Sequence, residues 1–173
     1  MARRQVRTAS YVRPARSQVT AEFVRVFLPC QTRHHGVREV LREARTPTAG
    51  SGNEQAKAKT LELAKAQAAA GHAVTLVTPL YRGIREKFDG LKPLGRARVP
   101  AKVWRLEPSP NLTVLFIDKP EWFDRDGLYG HADDAERFIF FSKCVAHLAR
   151  RAEIVNAHDW QGGLVMPLIG DAP

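Results

Sequence analysis

Two stretches of this chain carry side chains that could do chemistry. The first, FIDKPEWFDRDGLYGHADDAERFIFFSK (116–143), ends a strand and opens a loop over 118–132 with four acids and three aromatics. It then closes into a Phe-rich helix. The second, EIVNAHDWQGG (153–163), ends another strand in a His-Asp-Trp-Gln loop. Both set ionisable groups just past the carboxyl ends of strands, where open α/β sheets hold their ligands. A neutral imidazole such as His158 could donate to a hydroxyl or to charge developing at a reacting carbon. A loop histidine with only a structural hydrogen bond is the plainer alternative. Asp118, Glu121, Asp124 and Asp126 have the look of a metal cluster. They share one loop with Pro120, however, and lack the regular calcium-loop spacing with its central glycine, so no metal and no cofactor is expected.

Other residues of the two stretches have double readings. Asp159 suits a helix N-cap better than a reactant, and Trp160 reads as packing. Asp133 is placed to cap the next helix. Tyr129 and His131 could meet a ligand through an aromatic face or hydrogen bonds, or merely pack the loop.

The elements that must position these residues follow from pattern. Residues 54–70 are strong helix formers stopped by Gly71, with Leu61, Ala64 and Ala68 at helical spacing. AVTLVTP (73–79) reads as a buried parallel-type strand. Further strands are expected at Lys102–Leu106 and Leu112–Ile117, divided by a Pro-Ser-Pro-Asn turn, and at 153–157. The spacing of Phe138, Phe141, Val145 and Leu148 predicts a helix over 134–151, opened by a capping box of Asp133 and Glu136. Gln161–Ile169 begins another helix, and Glu22–Leu28 is strand-like. The fold class is α/β, an incomplete Rossmann-like, parallel sheet with flanking helices behind a disordered basic arm.

Composition bounds the function. The 173 residues, 44% hydrophobic, suffice for one domain and an arm, and no apolar run is long enough to span a membrane. Cys30 and Cys144 have no metal-ligand spacing, which suggests a reduced intracellular protein. The formal charge of +9 is uneven: residues 1–45 net +7 and residues 46–173 only +2. Residues 1–21 contain no acid and are rich in Arg, Ser and Thr. They form a disordered arm, a transit peptide or a polyanion-binding tail. A cytoplasmic location is expected, or a plastid if the start is a transit peptide. Nucleic-acid binding ranks last, for want of a recognition motif.

Four blocks then carry a resemblance: GHAVTLVTPLYRGI (71–84), FIDKPEWFDRDGLYG (116–130), DDAERFIFFSK (133–143) and NAHDWQGGL (156–164). In order and spacing they resemble the bacterial glycogen synthase and plant starch synthase family over roughly residues 54–169. The resemblance implies a GT-B fold of two Rossmann-like lobes, with residues 54–173 a partial first lobe and residues 22–53 a poorly determined strand and loop. It implies glucose transfer from ADP-glucose, with retention, to an α-1,4-glucan. It also implies a catalytic His158 and substrate contacts at Asp133, Tyr129, His131 and Gln161. The family's donor loop, Lys-x-Gly-Gly, has its nearest counterpart in Gly50 and Gly52, with no lysine. Asn156 and Gly162 stand where the family usually shows His and Thr. The expectation is a synthase fragment, inactive alone, needing a separate second lobe. Alternatives are a glucan- or partner-binding module and polyanion binding by the arm. The end of the chain adds one more expectation: Leu164, Val165, Met166, Leu168 and Ile169 have little to pack against, which favours a marginal, self-associating monomer.

Overall fold

The computed structural model describes residues 8–12, 22–26, 62–95, 97–128, 130–158 and 160–170; for the first two stretches only the backbone is described. Gly71 stops the first helix, α1 (62–69), as its position suggests. At φ +93° it lets the Gly71 N–H reach Ala68 O (3.0 Å) and the His72 N–H reach Gln67 O (3.1 Å), the paired bonds of a Schellman motif.

Seven strands form one sheet among the described residues. They are β1 (Thr8–Val12), β2 (Glu22–Val26), β3 (Ala73–Pro79), β4 (Lys92–Pro93), β5 (Lys102–Ser109), β6 (Leu112–Asp118) and β7 (Ile154–His158), in spatial order β1-β7-β2-β3-β6-β5-β4. The central four, β7-β2-β3-β6, are parallel, as expected of the run over 73–79 and of the fold class. Both flanks are antiparallel, so the sheet is mixed. The β5–β6 reversal turns at Asn111, whose φ of +62° is a left-handed conformation that Asn adopts more readily than most residues. Within residues 1–21, expected to be a disordered arm, Thr8–Val12 pair antiparallel with β7.

The strand over 73–79 stands as expected, and β5 and β6 each run slightly longer. Asp118 therefore belongs to β6 and not to the loop after it, and His158 closes β7 instead of following it. A short helix, α2 (Pro120–Phe123), starts where a loop was expected, with Pro120 in its first turn, where no N–H is needed. The long helix, α3 (Asp134–Ala149), buries Phe138, Phe141, Cys144 and Val145 at helical spacing. Phe123 joins Phe138 and Phe141 in an aromatic cluster, with ring centroids 6.5 and 6.3 Å away.

After β7 come a 3-10 turn (Trp160–Gly162) and α4 (Val165–Gly170), in place of one continuous helix. The expectation that the last apolar residues lack partners is corrected for two of them. Val165 and Ile169 are buried in the core, while Met166 and Leu168 are half-buried and Leu164 is exposed. No helix among the described residues is long and apolar enough to cross a membrane.

Candidate functional site

The parallel strands all end on one side, and the segments after β3, β6 and β7 emerge there. Asp118 closes β6 almost fully buried, a position that requires partners for its oxygens. Trp104 Nε1 and Arg85 Nη2 both donate to Asp118 Oδ2, at 2.8 and 2.7 Å. The Arg85 guanidinium also lies 4.2 Å from the centre of the Trp104 ring.

The other acids of the loop are also held by cations. Arg82, just past β3, donates to Asp124 Oδ1 and Asp126 Oδ1 at 2.8 Å each and to the Asp124 carbonyl at 2.7 Å. Lys119 pairs with Glu121, and this bond holds the Glu121 carboxyl below its ordinary range. Arg125 donates to the Glu121 carbonyl at 2.8 Å and to Asp133 Oδ1 at 2.7 Å; the second bond lowers the Asp133 pKa. Asp118, Glu121, Asp124 and Asp126 are therefore distributed over Arg85, Lys119 and Arg82. Among the described residues no group of three His, Cys, Asp or Glu side chains could hold a metal ion.

The start of α3 departs from the capping box. Asp133 occupies the N-cap position but makes no side-chain cap bond, because Arg125 takes its carboxylate. Asp134 does the local fastening. Its Oδ2 accepts the Gly130 N–H at 2.6 Å, and its Oδ1 accepts Arg137 Nε at 2.8 Å. Arg137 is completely buried and donates onward to the Trp122 carbonyl (2.9 Å) and the Leu128 carbonyl. The guanidinium stacks 4.6 Å from the Phe138 ring centre. Sequence reasoning assigned no role to Arg82, Arg125 and Arg137. An arginine just before the Phe-rich run was the available signal.

Of the proposed site residues, His131 and Asp133 sit together where the loop enters α3. His131 is half-buried, and its Nε2 is shielded from solvent with no hydrogen-bond partner among the described residues. Trp160 and Gln161 lie against the second and third turns of the same helix. The exposed Trp160 ring meets Phe138 edge to face at 5.3 Å, and the Ser142 hydroxyl donates to the Gln161 carbonyl at 3.3 Å. Gln161 is buried, and its Oε1 has no partner among the described residues. Thr78 near the end of β3, which sequence reasoning did not single out, has a buried hydroxyl in the same state. The first turns of α3 thus join the loop after β6 to the turn after β7, with the half-buried His158 at the end of that strand. Tyr129, Asp159, Gly50 and Gly52 lie outside the described residues. Half-buried histidines, an unpartnered amide oxygen and an exposed indole suit a ligand rich in hydroxyl groups. The carboxylates, already paired, leave little net charge for a metal.

Comparison with known proteins gives a consistent result. Residues 60–172 match the family model of the starch synthase catalytic domain. A glycogen synthase of Exiguobacterium sibiricum is 36% identical over 110 residues, covering 55% of this chain and 23% of that protein. One from Bacillus subtilis is 35% identical over 118 residues (62% and 24%), and one from Opitutus terrae 34% over 128 residues (64% and 27%). The chain spans about a quarter of the length of these curated relatives.

Proposed function

Because this chain belongs to the starch synthase catalytic domain family, we propose that it supplies one side of a cleft for glucosyl transfer from ADP-glucose to an α-1,4-glucan. The observation that carries this reading is the junction at α3. There His131 and Asp133 meet the same helix as Trp160 and Gln161, beside the carboxyl end of the strand that His158 closes.

In this reading the glucan lies along the loop after β6. His131, the neighbouring Tyr129 and Gln161 bond its hydroxyls. Asp133, kept ionised by Arg125, accepts from a further hydroxyl. His158 faces the reacting sugar and donates to it as the bond between the anomeric carbon and the diphosphate breaks. The acceptor hydroxyl oxygen forms the new bond to the anomeric carbon and passes its proton to the departing phosphate oxygen, and ADP leaves with the bonding electrons. Transfer requires both substrates held in line, so the activity is assigned to the chain together with a second lobe that binds the donor. Gly50 and Gly52 are assigned to the donor phosphates by resemblance alone, without the family's lysine.

The test is incorporation of labelled glucose into glycogen from ADP-glucose, with and without a polypeptide corresponding to the remaining length of the relatives. Incorporation only in the combined reaction, abolished by His158→Ala, is the expected result. Incorporation that survives His158→Ala would refute the role of that residue.

A second reading rests on the net +7 of residues 1–45: the arm adds affinity for polyanions. Replacing Arg3, Arg4, Arg7, Arg13 and Arg16 with Gln should then weaken heparin binding, most clearly at low salt.

A further inference from the structure

The modest net +2 of residues 46–173 conceals a concentration of charge. Residues 82–105 contain eight Arg or Lys and two acids, a net of +6, which leaves −4 for the remainder.

The fold gathers much of this charge at one end of the sheet. From the carboxyl end of β3 the chain makes a 3-10 turn (Arg85–Lys87) level with Asp118, where Arg85 is bound. It then descends over the sheet, with Phe88 stacked on Phe116 at 6.3 Å. It climbs again as β4, in register with Arg105 and Trp104, and the Leu94 N–H reaches Val103 O at 2.7 Å. The turn that follows therefore lies at the carboxyl end once more, where β5 starts with Lys102 opposite Asp118. Lys87, Arg98 and Lys102 thus share a rim with the crevice. All three are exposed, and none makes an ion pair among the described residues.

We propose that this rim binds phosphate groups carried on an α-glucan chain, extending the acceptor side of the crevice toward the β5 flank. The proposal rests on the glucan reading above and adds a substrate class to it. Exposed cations each contribute little to binding one small anion. Spread along a rim, they suit a polymer bearing several anionic groups, and a phosphate monoester carries about −1.5 to −2 at neutral pH. A nucleic acid would use open aromatic faces for its bases. Here Arg85 covers a face of Trp104 and Phe88 lies on Phe116. The rim is also continuous with the loop proposed to hold the glucan.

The test uses the full chain with the five arm arginines replaced by Gln, which silences the arm. Its affinity is measured for maltodextrin bearing phosphate monoesters and for unmodified maltodextrin of equal length, at low and moderate salt. The phosphorylated chain should bind about tenfold more tightly at low salt, and the advantage should shrink as salt rises. Lys87→Gln, Arg98→Gln and Lys102→Gln together should remove the advantage and leave affinity for the neutral chain unchanged. The charge-preserving pair Lys87→Arg and Lys102→Arg should retain it. Equal affinity for the two dextrins, or an advantage that survives the triple substitution, overturns the proposal while leaving the glucan reading intact. Binding of neither dextrin overturns both. Tighter binding of an RNA homopolymer through the same three residues would make the rim a nucleic-acid site and overturn the proposal.

Discussion

Arg137 and Asp134, one turn apart on α3, form an ion pair at 2.8 Å in which the guanidinium has no solvent exposure. The pair joins the helix to the loop before it, since Asp134 also holds the Gly130 N–H and Arg137 the carbonyls of Trp122 and Leu128. Arg137→Met should leave Asp134 and two carbonyls without their donor, at a cost of about 3–5 kcal/mol, the usual range for breaking a buried pair. Urea denaturation measures this directly, and a loss under about 0.5 kcal/mol, the scale of ordinary surface substitutions, would show that the network bears no weight.

Arg125 should set the titration of Asp133. The folded carboxyl lies below its ordinary 3.8 chiefly because of the Arg125 hydrogen bond. A depressed folded pKa means a contribution to stability that is present above the unfolded pKa and lost as pH falls through the folded one. The pair should therefore act at neutral pH and weaken only below about pH 4. In Arg125→Gln the Asp133 carboxyl should titrate closer to 3.8, as read by carbon NMR; an unchanged titration would contradict the assignment.

Cys144 should be inert in the native protein. Burial pushes its thiol up to about 11, and its side chain faces the core. Labelling by a thiol reagent at pH 8 should be slow and should accelerate with urea in step with unfolding. Prompt native labelling would mean that α3 opens locally.

Trp160 should report glucan binding. Its exposed ring stands on the turn after β7 and touches Phe138. Maltoheptaose should change the tryptophan emission of the full chain, and Trp160→Phe should abolish that change. A response preserved in the variant would place the sugar elsewhere.

Much of the fold was legible because its signals are local. Gly71 marked a helix stop that its positive φ explains, and the run over 73–79 forms a strand with those bounds. The phase of Phe138, Phe141 and Val145 gave the buried face of α3. What escaped depends on distant partners. Arg82 reaches Asp124 and Asp126 across 42 and 44 positions, so no window of sequence could show that these acids were already paired. Asp133 and Glu136 had the spacing of a capping box, but a competing guanidinium took the first carboxylate. The antiparallel flank was hinted at by the Pro-Ser-Pro-Asn turn, which is too short for a crossover between parallel strands. The basic rim was hidden by averaging its charge with that of a more acidic remainder.

The pairing of β1 with β7 has a consequence for the arm. The strands run antiparallel with Thr8 opposite His158, so the chain enters the sheet beside the carboxyl end of β7. Seven residues precede Thr8, among them Arg3, Arg4 and Arg7. Fully extended they reach about 25 Å. The covalent link alone bounds how far these three arginines can stand from the carboxyl end of β7, whatever the concentration of the protein. For an anionic chain at that edge of the sheet, cations on the same polypeptide are supplied in cis and need not be recruited from solution.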